Sequence, residues 1–360
     1  MECGLLTASF IFVFALAITL QVYYYSPISP DILELPSADP SSPFFTPNYH
    51  LQKAIKLGEG MLDRPEDVCV DQKGMLYTAT RDGWIKRMHT NGTWENWKRI
   101  HNKYTLLGLK FTKAGDLIVC DTEEGLIKVS EDGEMTALAT HLNGEKIRFA
   151  DDVVEAGDGS LYFSIPSTKY LLHNWYLDML EAKPHGQLLK YDPSTKKTSL
   201  VLDGLRFPNG VTISPGEEFL VVCETWKSRC FKYWLKGEMR GTVDTFIDNL
   251  PGFPDNIKLA PDGSYWIAIL QFTSSRMNFV HSSKAIKHLL AMYPKLFNQI
   301  KAYDRSAMVL KVGSDGRIIK RLDDPNGKVA SFVTSVLEFE GNIYFGSLKN
   351  NYVGKLPVEL

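Results

Sequence analysis

Hydrophobic and polar positions alternate in short runs along most of the chain, and turns of Gly, Asp, Asn or Pro separate the runs. Asp71-Gln72-Lys73-Gly74 precedes Met75-Leu76-Tyr77, and Gly157-Asp158-Gly159 precedes Ser160-Leu161-Tyr162-Phe163. Ser214-Pro215-Gly216-Glu217 leads into Phe219-Leu220-Val221-Val222, and Ala260-Pro261-Asp262-Gly263 into Tyr265-Trp266-Ile267. Strands this short, joined by such turns, form antiparallel hairpins. Further alternating runs follow each hairpin, as at Trp84–Met88, Gly125–Val129, Leu188–Tyr191, Cys230–Trp234 and Met308–Val312.

Ahead of the hairpins one phrase recurs: Arg64-Pro65-Glu66-Asp67-Val68, Phe149-Ala150-Asp151-Asp152-Val153, Phe207-Pro208-Asn209-Gly210-Val211 and Phe253-Pro254-Asp255-Asn256-Ile257. Leu107-Gly108-Leu109 and Phe332-Val333-Thr334 keep the register without the carboxylate or amide. Repeats of about forty residues with four strands each predict propeller blades. The chain therefore reads as all-β: a six-bladed β-propeller over residues 50–358, in preference to a β-sandwich or two smaller β domains. Gln52-Lys53-Ala54-Ile55-Lys56-Leu57 is expected to complete the last blade, which would close the ring and remove a free edge.

Two stretches break the strand pattern with helical spacing, giving two helical cap insertions. Lys169 to Lys183 places Leu172, Trp175, Tyr176, Met179 and Leu180 on one stripe; Phe279 to Tyr303 does so with Ile286, Leu289, Leu290, Met292, Leu296, Phe297 and Ile300. Both are expected to cover one mouth of the central tunnel. The second carries Lys284, Lys287, Lys295, Lys301, His281 and His288, a set suited either to docking on a membrane or to a solvated basic face. His173 and His185, beside the first, are within reach of the mouth as acid or base groups or serve as surface residues.

Residues 1–25 form an N-terminal hydrophobic helix, read as a signal anchor or a cleaved signal peptide: Leu5 to Tyr25 carry no charge and are long enough to cross a bilayer. Residues 26–49 read as a Pro/Ser-rich linker. Either entry signal sends the propeller into the secretory lumen. Asn91-Gly92-Thr93 is a glycosylation sequon in a turn, and Cys223 and Cys230 face each other across a hairpin as either a disulfide or two buried thiols. With 44% hydrophobic residues and a formal charge of −2, the chain has ample core and no basic stripe for nucleic acid.

The chemistry lies in the repeated phrase. In a propeller the innermost strand of each blade lines the axis, so Glu66, Asp151, Asn209 and Asp255, with Asn256 beside the last, point into one space. Carboxylates converging there repel unless a cation sits between them, and an all-oxygen donor set suits Ca²⁺. The bland alternative is that such residues only cap strand starts, a role expected for Asp67 and Asp152. Gly-x-Ser-x-Gly, His-Glu-x-x-His and phosphate-binding glycine loops are missing from the sequence, which argues against the usual serine, zinc and nucleotide chemistries.

Arg206-Phe207-Pro208-Asn209-Gly210-Val211, Pro251-Gly252-Phe253-Pro254-Asp255-Asn256-Ile257, and Asp324-Pro325-Asn326-Gly327 leading to Tyr344-Phe345-Gly346-Ser347 resemble the strictosidine synthase-like family over nearly the whole chain. More distantly the chain is similar to paraoxonases and other calcium-dependent propeller hydrolases. That resemblance implies a catalytic Ca²⁺ held at Glu66, Asp151, Asn209 and Asp255, with Asp151 standing where an Asn is usual and adding one negative charge. The alkaloid-forming members carry a catalytic Glu on the last blade, whose matching position here is Thr334. Strictosidine synthesis is therefore not expected. Paraoxonases use a His on the second blade, and the matching region here, Val119-Cys120-Asp121-Thr122, offers Asp121 in its place. The resemblance thus implies hydrolysis of small esters or lactones, with Asp255 or Asp121 activating water or attacking. A condensing enzyme with an unlike base, or a non-catalytic propeller pinned by Ca²⁺, are the alternatives. It also implies the endoplasmic reticulum membrane or the vacuole as the setting.

Overall fold

The computed structural model describes residues 21–36, 46–101, 106–302 and 305–359. Six four-stranded antiparallel sheets follow one another along the chain. Blades one to five run innermost to outermost in sequence order, for example Val68–Val70, Leu76–Ala79, Trp84–Met88 and Trp94–Arg99 in the first. Blade six takes Val333–Phe339, Asn342–Ser347 and Val353–Pro357 from the C-terminal end and closes with Ile55–Leu57 from the N-terminal side, in the register Ile55↔Lys355, Lys56↔Gly354 and Leu57↔Val353. The expected ring closure is thus formed. Between blades lie apolar layers such as Phe219, Val221, Tyr265, Ile267 and Leu310, all buried.

The inner strands meet near the axis so closely that two positions admit only glycine. A Cβ on Gly108 would come 2.5 Å from the Asp151 carbonyl oxygen, and one on Gly210 would come 2.4 Å from the Ile257 amide. Gly108 thereby lets its N–H donate to the Asp151 carbonyl at 2.7 Å, from blade two to blade three.

Both insertions emerge between the second and third strands of a blade. In blade three the helix Trp175–Glu181 fills this place; in blade five the helices Ser275–His281, Lys284–Met292 and Pro294–Ala302 do. Leu177, Met179, Leu180, Met277, Val280, Leu290 and Phe297 join Phe149, Phe207, Trp226 and Phe253 of the propeller in one core, so the helices form a lid packed on the ring. The first expected stripe is buried or half-buried as its spacing implies. The second is rotated: Leu289 and Leu296 face outward, while Lys287 and His288 are buried.

The reason is the segment read as a linker. Residues 26–36 lie against the lid, where Ile28 and Leu33 enter its core. Asp31 N–H donates to Glu181 O, Leu33 N–H donates to His281 O, and the Lys287 ammonium donates to Asp31 O at 2.6 Å. Pro and Ser deprived this stretch of periodicity, not of packing. Residues 21–25 are helical; the rest of the apolar N-terminal segment, residues 1–20, lies outside the described residues. No described helix is long and apolar enough to cross a membrane.

Candidate active site

The chain bends at the head of four of the inner strands. Arg64, Phe149, Phe207 and Phe332, each two residues before the axial position, adopt φ of +52°, +61°, +58° and +50°. For bulky side chains this left-handed region is sparsely populated and marks a geometry imposed by function or packing. Pairing with the second strand then slips between Leu106 and Leu109, Pro208 and Val211, Pro254 and Ile257, and Val333 and Ser335. Such bulges re-aim side chains. They occur at Gly108, Asn209, Asp255-Asn256 and Thr334, the positions the repeat nominated.

Glu66, Asp151, Asn209 and Asp255 line one cavity of about 450 Å³ beneath the lid, so the four blades do bring them together. They form its floor and are 3–5% exposed. Phe149, Phe207, Trp226, Trp175 and Phe332 wall it, with Leu107 contributed by blade two. Burial, then repulsion from their acidic neighbours, pushes the Glu66, Asp151 and Asp255 carboxyls well above the usual range. Asn256 Nδ2 donates to Glu66 Oε1 at 3.0 Å, and Asn209 donates to the Asp255 carboxylate.

Those bonds leave Glu66 Oε2, Asn209 Oδ1 and Asn256 Oδ1 buried without a hydrogen-bond partner, on three different blades. Buried polar atoms are rarely left so. Among the described residues no three His, Cys, Asp or Glu side chains make a metal cluster by themselves. The fitting set is mixed, a carboxylate with two amide oxygens and further carboxylates alongside, which is the chemistry of a hard divalent cation.

The adjacent acids behave differently. Asp67 Oδ1 accepts from Val68 N–H at 2.7 Å and Oδ2 from Leu109 N–H at 2.9 Å, joining blade one to blade two. Asp152 does the same between blades three and four, accepting from Val153 N–H and Val211 N–H, each at 2.9 Å. Lys258 places its ammonium 2.5 Å from Asp67 Oδ1. Burial opposes that charge, yet Asp67 and Asp152 hold the lysine above its ordinary pKa.

Thr334 donates its hydroxyl to the Glu66 carbonyl at 2.6 Å and so helps close blade six on blade one. Asp121 does not line the cavity. It accepts from Glu123 N–H and Glu124 N–H, and its Oδ2 lies 3.0 Å from His101 Nε2. Its assignment as a base is corrected accordingly: the end of the second strand turns its carboxylate into the blade-two loop, and Leu107 takes the place on the cavity. His173 reaches the mouth, whereas His185 is spent on Glu181 Oε2 at 2.7 Å. Cys223 and Cys230 form a disulfide at the base of the hairpin that carries Trp226. Asn91 is exposed, its Oδ1 accepting from Thr93 N–H.

Sequence reasoning missed the aromatic walls, Arg81 and Lys349 at the rim, and Asp178, which accepts from Trp226 Nε1 at 2.9 Å and is raised to about 6, chiefly by burial. The Phe that opens three of the site phrases was the one legible sign of the walls.

Fold and floor thus define a lidded six-bladed propeller with an oxygen-rich central site. The chain belongs to the strictosidine synthase-like family: family models for strictosidine synthase and for the strictosidine synthase-like N-terminal region match residues 151–238 and 44–88. Protein STRICTOSIDINE SYNTHASE-LIKE 4 of Arabidopsis thaliana is 33% identical over 95% of this chain and 92% of its own length. The adipocyte plasma membrane-associated protein of Rattus norvegicus is 32% identical over 93% of this chain and 94% of its own. Among solved structures, a gluconolactonase from Xanthomonas campestris shares the fold with a TM-score of 0.60 at 15% identity, covering 92% of this chain and 96% of that one. A calcium-binding protein, regucalcin, from Agrobacterium tumefaciens does so with a TM-score of 0.55 at 13% identity, covering 82% and 90%.

Proposed function

We propose that the protein is a calcium-dependent hydrolase of small esters or lactones. One observation carries the reading: Glu66 and Asn209, from two blades, each leave a buried oxygen unpartnered at the floor of a walled, lidded cavity, and Asn256 of a third blade, bonded to Glu66, leaves another beside them. The names of the structural neighbours, a gluconolactonase and a calcium-binding regucalcin, support the same chemistry. Glu66, Asn209, Asn256 and Asp151 would hold the ion with Asp255. When bound, Ca²⁺ supplies charge that polarises a carbonyl and stabilises an oxyanion.

The chain's own groups do the rest. Phe149, Phe207 and Trp226 hold the apolar part of the substrate, and the lid helices shield the floor from bulk water. Asp255, raised by burial and by Asp151, is the carboxylate suited to take a proton from the attacking water. The extra charge of Asp151 tempers the ion's polarising power. The condensing alternative lacks the family's Glu, since Thr334 stands at that position with its hydroxyl committed to a backbone carbonyl.

The setting we infer is the lumen of the secretory pathway, at the endoplasmic reticulum membrane or in the vacuole. The Cys223–Cys230 disulfide suits an oxidising compartment, and Asn91 is open to glycosylation. Docking of the second insertion on a membrane rests on Phe279, Leu289, Tyr293, Leu296, Lys284 and Lys295, which are exposed; His281, Lys287 and His288 are buried and take no part. The Tyr23 ring lies 4.8 Å from that of His288, tilted against it, so residues 21–25 lie beside this face. Vesicle flotation of the purified protein would test the docking, a loss on replacing Phe279 and Tyr293 by Ser being expected.

The experiment for the activity pairs metal analysis with aryl ester and lactone assays, with and without chelator. Bound calcium and chelator-sensitive turnover are expected. Bound calcium without turnover would leave a structural ion, and neither would remove the site.

A further inference from the structure

The charges that line the cavity are sorted by depth. Glu66, Asp151 and Asp255 sit at the buried floor, whereas the cationic lining side chains, Arg81 and Lys349, sit at the open end. Both come from loops after the second strand, in blades one and six, which are neighbours across the ring closure. The lid contributes His173, Trp175 and Asn298 to the same lining.

Lys349 is exposed, and its ammonium lies 5.1 Å from the centre of the Phe332 ring, itself part of the wall. Burial of its stem and the nearby Arg305 both push its pKa down, the mark of positive charge gathered on this side. Between rim and floor the lining is mainly aromatic and aliphatic.

From this arrangement we infer that the substrate is amphipathic and anionic: a carboxylate or phosphate held by Lys349 and Arg81 at the rim, an apolar body along Phe332, Trp226 and Phe207, and the reactive carbonyl directed to the floor. The inference rests on the hydrolase reading for the identity of the reacting end. The rim holds the anionic group outermost, and that fixes which end of the substrate enters first. Lys349 and Arg81 are specificity-determining residues that touch the part of the substrate farthest from the chemistry.

Two arms test this. In the first, para-nitrophenyl butyrate is compared with para-nitrophenyl hemiglutarate, which adds a carboxylate at the far end of the acyl chain. The charged ester is expected to be preferred in kcat/KM by about fivefold to tenfold, through KM, with the preference shrinking at high salt. Lys349→Met and Arg81→Met should each lower that ratio, while Lys349→Arg preserves it. A ratio at or below one in the unaltered protein, or one unchanged in the double variant, overturns the inference.

The second arm is independent of turnover. Trp175 and Trp226 line the cavity, so their fluorescence reports occupancy by 4-phenylbutyrate, phenyl phosphate or the neutral 4-phenylbutanol. Tighter binding of either anion than of the alcohol, lost in the Lys349→Met/Arg81→Met double variant, supports the rim, and the better anion identifies the group it takes. Anion-selective binding without hydrolysis of any ester would sink the hydrolase reading and leave this one intact; equal binding of all three would sink this one whatever the turnover.

Discussion

Glu66 and Asp67 are adjacent in the chain, and so are Asp151 and Asp152, yet the two members of each pair do opposite work. The first member faces the cavity, where Glu66 keeps one oxygen without a partner. The second has both oxygens committed to backbone amides of its own and the next blade. Extended chain sends successive side chains to opposite sides. The motif therefore makes a reactive floor and an architectural tier beneath it from the same two letters. Unsatisfied groups mark where a ligand is awaited; satisfied ones mark what holds the ring.

The hardest test of that contrast is Asp67→Ala. It strips Leu109 N–H of its acceptor and leaves the largely buried Lys258 ammonium with Asp152, the Cys69 thiol and the Val68 carbonyl. Breaking a buried pair from one side costs about 3–5 kcal/mol, so the denaturant midpoint should drop steeply, and calcium should restore little of it. An Asp67→Ala protein as stable as the parent would show that the lower tier does not hold the blades.

Glu66→Gln probes the upper tier with the opposite expectation. The amide keeps an oxygen for Asn256 but removes a charge that burial and four neighbouring acids already disfavour. Chelator-sensitive turnover should fall about 10²- to 10³-fold, while stability changes by less than about 1 kcal/mol. If the variant unfolded instead, the two tiers would share one role.

Much of this was legible in the chain. The recurring phrase located the inner strands, counted the blades and named the floor, because a repeat in sequence becomes a ring in space. Its register set Glu66 and Asp151 on the axis and Asp67 and Asp152 as caps, but it did not show that each cap also reaches an amide of the next blade, because that partner is distant in sequence. It misplaced Asp121, whose fate was set by a turn that gave it two amide donors. It also took residues 26–36 for a linker, because a strap that packs through Ile28 and Leu33 needs only two apolar residues and shows no period.

That strap supplies the next contrast, between the ring's buried lower tier and a lid latched by a carboxylate at its edge. Glu181 is buried, but Lys169, the Ser29 N–H, His185 and Tyr170 overcome the burial and hold its carboxyl down at about 2. A depressed folded pKa contributes stability that is complete above the ordinary carboxyl value of about 4.3 and lost as pH falls towards 2. Acid should loosen the lid, read through Trp175 fluorescence, with a contribution of about 2 kcal/mol. Glu181→Gln should be looser at neutral pH and lose this acid dependence. An unchanged acid response in the variant would place the latch elsewhere.

The smallest effect concerns how the wall is held. Cys223 and Cys230 are bonded between the second and third strands of blade four, and the hairpin they clamp carries Thr225 and Trp226 at its tip. Thr225 Oγ1 in turn donates to the Pro254 carbonyl at 2.8 Å, in the phrase that carries Asp255. The clamp closes only a short loop, so replacing both cysteines by Ser should cost about 2 kcal/mol and no more. Because Trp226 is also fixed by Asp178 and by the Phe207 ring, tilted against it at 4.5 Å, KM should rise by less than about threefold. A much larger rise would mean that the disulfide, rather than the lid, sets the position of the wall, and the division between a ring that carries the site and a lid that shapes it would have to be redrawn.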